Sequence, residues 1–246
     1  MRVLLHLLIV TLLQQSSFKQ DQLKHSRVKN AYLEKERIVK DHFTQQKLSY
    51  EGFHLFIRAF KQEKSLEVWV KEKNRSTYQL LTTYAFCSSS GTLGPKRVEG
   101  DLQIPEGIYQ INHFNPLSNF HLSLGVSYPN ASDKILGNKQ KPGSAIYIHG
   151  NCVTIGCIPI TDDKIKELYV LAVEAKNHGQ KNIPLHIFPS RLDGASLEHL
   201  RTAYASSPAT LEFWDNLRPL YQDFEITKSL RKITVDSRGK YVLAAQ

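Results

Sequence analysis

From His54 onward the hydrophobic period changes to two, and that change limits the folds open to this 246-residue chain. Leu55-Phe56-Ile57-Arg58-Ala59-Phe60 and Leu66-Glu67-Val68-Trp69-Val70 flank the polar run Lys61-Gln62-Glu63-Lys64-Ser65. Two such runs across a short polar connection predict a β-hairpin. Further strand signals lie at Tyr78 to Cys87, at Ile108-Tyr109-Gln110-Ile111 behind the turn Pro105-Glu106-Gly107, at Ala145 to His149, and at Ile183 to Phe188 ahead of Pro189. Residues 112–143 show no clear period and read as a long polar, aromatic loop, a kind of segment that often carries function.

Helical patterns bracket this β-rich stretch. Val28, Tyr32, Val39 and Phe43 recur at near-helical spacing, which predicts a lead helix with one apolar stripe and the charges of residues 18–48 on its solvated face. Thr161-Asp162-Asp163 opens a second helix: Thr161 can cap it, two acids occupy its first turn, and Gly179 stops it. Its apolar face is Ile165, Leu168, Tyr169, Ala172 and Val173. Pro208, with Ser207 as cap, starts a tail helix, and Lys232–Val235 with Tyr241–Leu243 form a small hairpin.

Composition narrows the function classes. With 41% hydrophobic and 22% charged residues the chain is globular rather than disordered or fibrous. Three cysteines are too few for a four-Cys zinc site or a disulfide-stapled miniprotein. The net charge of +9 favours anionic partners. The basic residues are dispersed, however, and no aromatic RNA-binding signature accompanies them, which argues against nucleic acid. Neither H-E-x-x-H nor G-x-x-x-x-G-K-[ST] occurs, so no metal and no cofactor is expected. Met1-Arg2, an apolar run to Leu13 and Gln-Gln-Ser-Ser make a signal-peptide pattern over residues 1–17. The run is about half of the roughly 20 residues that a spanning helix needs. An amphipathic N-terminal helix or an uncleaved anchor are the other readings of it.

The chemistry concentrates in Ile148-His149-Gly150-Asn151-Cys152-Val153-Thr154-Ile155-Gly156-Cys157. A histidine ends an apolar strand, and a glycine-flanked cysteine follows in a loop just ahead of the capping Thr161. A thiolate nucleophile needs a base or cation beside it and access to substrate. His149 can be the base, the helix N-terminus can favour the thiolate, and the amides of Gly156 and Cys157 can face an oxyanion. A buried structural cysteine and a satisfied core histidine are the alternative. Around this centre, Asn151 either orients His149 or makes the turn. Tyr109 is either core or a site hydroxyl, and His121 either contacts substrate or lies on the surface. Lys96 and Arg97 either hold a substrate carboxylate or belong to a solvated loop. Cys152 is a second thiol, a resolving cysteine or packing, and a Cys87–Cys152 disulfide stays open.

The segments His149-Gly150 and Thr154-Ile155-Gly156-Cys157 resemble the L,D-transpeptidase (YkuD-type) catalytic domain, and its YafK-like branch in particular. The likeness extends through Ile57-Arg58-Ala59-Phe60-Lys61, Gly100-Asp101, Pro105-Glu106-Gly107-Ile108-Tyr109, Phe120-His121-Leu122-Ser123, Tyr128-Pro129-Asn130-Ala131 and Ile183 to Pro189. It implies a mainly β fold, a β-sandwich or mixed sheet, with an N-terminal lead helix, one helix after the cysteine loop and a small C-terminal α+β extension. The implied division is a signal peptide (1–17), a helical segment (18–50), a catalytic domain (51–190) and an extension packed on it (191–246). Cys157 is then the nucleophile and His149 the general base. Gly156 supplies oxyanion backbone, with Gly150, Asn151 and Thr154 in the catalytic loop and Tyr109, His121, Lys96 and Arg97 toward substrate. The resemblance implies an exported, periplasmic or envelope enzyme, monomeric, that forms an acyl-enzyme on peptidoglycan stem peptides at meso-diaminopimelate. An L,D-specific amidase or endopeptidase that cleaves such linkages or releases a wall-attached protein is the alternative, and a non-catalytic wall-binding module is a third reading. Two departures stand out: Ile155 occupies the family's usual histidine position, and Ile158-Pro159-Ile160 replaces the Arg or Asn that often follows the cysteine.

Overall fold

The computed structural model describes residues 17–244. The leader pattern, Ser17 apart, lies outside the described residues. Strands β1 (Phe53–Phe60) and β2 (Ser65–Glu72) form the expected hairpin, in register from Phe53↔Glu72 to Phe60↔Ser65. With β3 (Gln79–Ala85), β4 (Gly107–Asn115), β5 (Ser123–Val126), β6 (Tyr147–His149), β7 (Ile158–Pro159) and β8 (Ile183–Phe188) they make one mixed sheet, in the order β3-β2-β1-β8-β4-β5-β6-β7. Only the β1–β8 and β6–β7 pairs are parallel.

Both faces of β1 are buried, which its alternation alone does not reveal. Leu55, Ile57 and Ala59 join the main core under α2 (Ser26–Gln45) and α4 (Asp162–Asn177). Phe60 packs with Phe188, Trp214, Leu217 and Tyr221, and Phe56 with Phe224, so α6 (Pro208–Thr227) covers the opposite face. Arg58 points to that second side. It is fully buried, held by Glu67 at 2.6 Å and Glu225 at 2.7 Å, with its guanidinium 4.7 Å from the Phe224 ring centre. A buried guanidinium needs such complete pairing.

The lead helix α2 buries Val28, Tyr32, Val39 and Phe43, as their spacing predicts. Its charge run is not wholly solvated: Lys35 is buried and pairs with Asp163 and Glu167 of α4. A short helix, α1 (Phe18–Leu23), precedes it and is closed by a capping box between Ser17 and Gln20. In α4, Thr161 accepts from the Lys164 amide, and the helix is buried on nearly every side because α1 and α2 cover what the sheet leaves.

Residues 112–143 are not one loop. Strand β4 continues to Asn115, β5 follows, and α3 (Ala131–Leu136) is capped by Asn130. The four residues of β5 are all buried, so no alternation marks them, and the register slips between Ile111 and His113. The C-terminal segment adds α5 (Gly194–Ala203), which its sequence does not announce. The side chain of Asp193 makes no cap bond and instead accepts from Tyr221 Oη at 2.8 Å. The hairpin β9 (Ile233–Val235) and β10 (Tyr241–Leu243) closes the chain.

Candidate active site

His149 ends β6 and Cys157 stands one residue ahead of β7. The parallel register sets Ile148 against Ile158 and His149 against Pro159. Strands pair about 4.8 Å apart and side chains alternate faces, so Tyr147, His149 and Cys157 lie on one face of adjacent strands. His149 is buried, and its ring lies 4.7 Å from that of Phe120, centre to centre, tilted by 31°. Its Nδ1 bonds to the Gly150 carbonyl. That bond assigns the proton to Nδ1 and leaves the Nε2 lone pair as acceptor. Burial holds the imidazole below its ordinary pKa, so the ring is neutral at neutral pH.

The loop between them is fixed by close contacts. A Cβ on Gly150 would stand 2.4 Å from Asp162 Oδ1 and 3.0 Å from the Phe120 carbonyl, so only glycine fits there. Asn151 takes φ +60°, its amide donates to Asp162 Oδ1 at 2.7 Å, and its side-chain oxygen accepts from the Cys152 amide at 2.7 Å. Asn151 therefore makes the turn and has no contact that would orient His149. Cys152 is joined to Cys87, with Cα atoms 5.3 Å apart, which settles the open pairing and ties the loop to the end of β3. Cys157 is the free cysteine.

Thr154 closes the next turn. Its Oγ1 accepts from the amides of Cys157 (2.8 Å) and Gly156 (3.2 Å) and lies 2.9 Å from the Cys157 carbonyl. The two amides expected to face an oxyanion are thus occupied by a threonine hydroxyl. Gly156 takes φ +132°, and a Cβ there would lie 3.0 Å from the Gln103 carbonyl.

The half-buried Cys157 Sγ lies 3.7 Å from the Ala145 carbonyl. Burial pushes the thiol above its ordinary pKa, and a hydrogen bond from the Tyr147 amide offsets this only in part. The amino end of α4, expected to favour the thiolate, is engaged elsewhere: Thr161 caps it and Asp162 holds Asn151. The charge of Lys96 offsets part of the thiol's rise. Lys96 is buried, paired with Asp101 and bonded to the Val98 carbonyl at 3.1 Å.

The other expected residues separate. Arg97 turns away from the thiol onto the Phe213 ring, 4.8 Å from its centre. Tyr109, placed toward substrate from the sequence, is buried in the core instead, with its hydroxyl bonded to Asp133 (2.9 Å) and the Glu106 carbonyl (3.1 Å). His121 sits beside Phe120 in the left-handed region, φ +69°, its carbonyl held by Arg27 and its Nε2 without a partner. Phe120 and Asp162 were not legible as site residues. Asp162 reads as an ordinary acid in a first helical turn, and nothing in the chain order ties Phe120 to His149. Among the described residues no group of three or more His, Cys, Asp or Glu could hold a metal ion.

Comparison with known proteins gives the family. The family model of the L,D-transpeptidase catalytic domain, YkuD, matches residues 28–178. The chain is 34% identical over 195 residues to YafK of Escherichia coli (strain K12), which bears a provisional L,D-transpeptidase name; the match covers 78% of this chain and 75% of that protein. Among solved structures, the helical cell shape determining protein Pgp2 from Campylobacter jejuni aligns at 17% identity and TM-score 0.45 over 80% of each chain. Bdellovibrio bacteriovorus Bd1075 aligns at 26% identity and TM-score 0.40, over 70% of this chain and 60% of that one.

Proposed function

Because the chain belongs to the L,D-transpeptidase catalytic-domain family, we propose that it is an exported cysteine acyltransferase of the cell envelope acting on peptidoglycan stem peptides. The observation that carries the reading is the pairing state of the thiols. Cys87 and Cys152 are consumed by each other, and Cys157 stays free on the face of His149.

The Nε2 lone pair of His149 takes the proton of Cys157 Sγ, and the sulfur pair attacks the carbonyl on the L-centre side of an L–D peptide bond, at meso-diaminopimelate. Rotation of Thr154 releases the amides of Gly156 and Cys157 to the oxyanion. Collapse breaks the C–N bond, and the leaving amine takes the proton back from His149, leaving a thioester. An acceptor amine then attacks the thioester carbon. A C–N bond forms, the C–S pair returns to Cys157, and the amine's surplus proton passes through His149 to the sulfur.

The test is intact-protein mass spectrometry after incubation with purified muropeptides, for the wild type and Cys157→Ala. A thiol-dependent acyl adduct with cross-linked product is expected, and Cys157→Ala loses both. Shortened or released peptides without cross-links would assign water as the acceptor, which is the L,D-hydrolase reading. An adduct that persists in Cys157→Ala would overturn the nucleophile.

A further inference from the structure

The residues next to Lys96 in the chain build a second site. A cleft of about 670 Å³ lies between the 93–103 segment and the C-terminal segment, within the range of roughly 300–1,000 Å³ usual for ligand sites. Its floor is apolar, with Leu93, Leu136 and Phe213, and Arg97, Arg238 and Lys240 line it with Glu212. Lys240 and Glu212 satisfy each other at 2.8 Å. The two guanidiniums are different. Arg97 has Asp133 at 3.6 Å and Arg238 has Asp236 at 3.8 Å, both beyond hydrogen-bond distance, and among the described residues neither side chain donates a hydrogen bond. Arg238 is mostly exposed, and the Arg97 guanidinium lies over Phe213.

A buried clamp braces the cleft. Glu106, with no exposed surface, accepts from the amide of the lining Gly94 (2.7 Å) and from Nε1 of Trp214 (2.7 Å), the neighbour of the lining Phe213. Lys61 completes the clamp by donating to the Gly94 carbonyl and pairing with Glu106 at 2.9 Å. One residue, Gln103, separates the cleft from the loop that carries Cys157. Gln103 lines the cleft, and the Gln103 carbonyl is the group that a side chain on Gly156 would strike. One segment therefore places Arg97 in the cleft and the Gln103 carbonyl beside the cysteine loop.

We infer that this cleft is a peptide subsite that reads a free carboxylate through Arg97 and Arg238 and an aliphatic side chain through its apolar floor. Its ligand is the amine-bearing partner of the Cys157 thioester. That assignment rests on the proposed acyl transfer, in which the same amine component is acceptor in synthesis and leaving group in cleavage. Guanidinium pairs with carboxylate in a planar, two-bond geometry that a neutral amide cannot reproduce.

The test is a ligand-observed NMR titration of the full chain, in the Cys157→Ala background so that no turnover intervenes, with alanyl-leucine and alanyl-leucinamide as probes. The acid is expected to bind about tenfold more tightly than the amide, the order of one charge-assisted bond. Arg238→Ala, at an exposed position that does not hold the fold, is expected to erase that preference. Arg201→Ala, a surface arginine paired with Asp215 elsewhere, is expected to retain it. Equal binding of acid and amide, binding of neither, or a preference that survives Arg238→Ala would overturn the subsite. Absence of a Cys157 thioester in the wild-type muropeptide experiment would instead overturn the proposed reaction and leave this titration readable.

Discussion

Strands β1 and β2 pair over eight residues each, whereas β6 and β7, at the far edge of the same sheet, run only three and two. The long end is held by backbone ladder and by buried charge: Arg58 with Glu67 and Glu225, Lys61 with Glu106. The short end has little ladder to rely on. It is held by a disulfide, by side chains bonded to the main chain at Thr154, Asp162 and Asn151, and by glycines where no side chain fits. The contrast separates a scaffold built to stay put from a site assembled from local devices, each fixing one or two atoms.

The largest test of that contrast strikes the scaffold. Glu106→Ala leaves Lys61 buried and unpaired and cuts the tie to Trp214, and removal of one partner from a buried pair costs on the order of 3–5 kcal/mol. Urea unfolding is expected to show that loss. A loss below about 1 kcal/mol, the scale of a surface pair, would mean that the long end does not depend on its buried charge. At the short end, Cys87→Ser with Cys152→Ser opens a closure of 65 residues, which the chain-entropy account values at about 4 kcal/mol. Stability is expected to fall by about 2–4 kcal/mol, and the rate of Cys157 acylation is expected to fall with it because Asn151 and Gly150 lose their anchor. A double variant that unfolds earlier yet acylates at the native rate would show that the disulfide serves the fold alone.

The smallest effect depends on pH. His186 is buried against Phe56 with no partner for Nδ1, and burial and Arg58 hold its pKa down to about 3. In the unfolded chain it titrates near 6.5. Below that pH the unfolded state binds a proton that the fold refuses, so stability is lost at up to about 1.4 kcal/mol per pH unit, about 2 kcal/mol over the window from pH 6.5 to 4.5. His186→Phe is expected to flatten the fall in urea midpoint between pH 6.5 and 4.5. An unchanged slope would assign the acid sensitivity to other groups.

The same contrast explains what was legible beforehand. Periodicity exposes elements long enough to show it, so β1, β2, α2 and α4 were readable, with the Thr161 cap. It fails for β5, which is buried on every side, and for α5, which has only Leu197 and Leu200 buried. At the candidate site, His149 and Cys157 stand out in the sequence by residue type and spacing together with the family resemblance, as the pair proposed to carry the chemistry. The use of Thr154 to cap two amides is a local turn that residue type alone does not announce, whereas the packing of Phe120 against His149 and the placing of Arg97 over Phe213 depend on contacts between segments far apart in the chain. The core placement of Tyr109 follows from Asp133, a residue that nothing local links to it.

The free thiol beside a closed disulfide has a consequence for biogenesis. Three cysteines can pair in three ways, and two of those ways consume Cys157, the proposed nucleophile. Cys152 and Cys157 are near neighbours in sequence, whereas the native bridge spans 65 residues. For an unstructured chain, loop-closure entropy favours the wrong short bridge over the right long one by about 2 kcal/mol. In an oxidising compartment the yield of competent enzyme is therefore set by timing: the sheet must bring Cys87 to Cys152 before oxidant reaches the chain, or a thiol exchanger must edit the mistake afterwards.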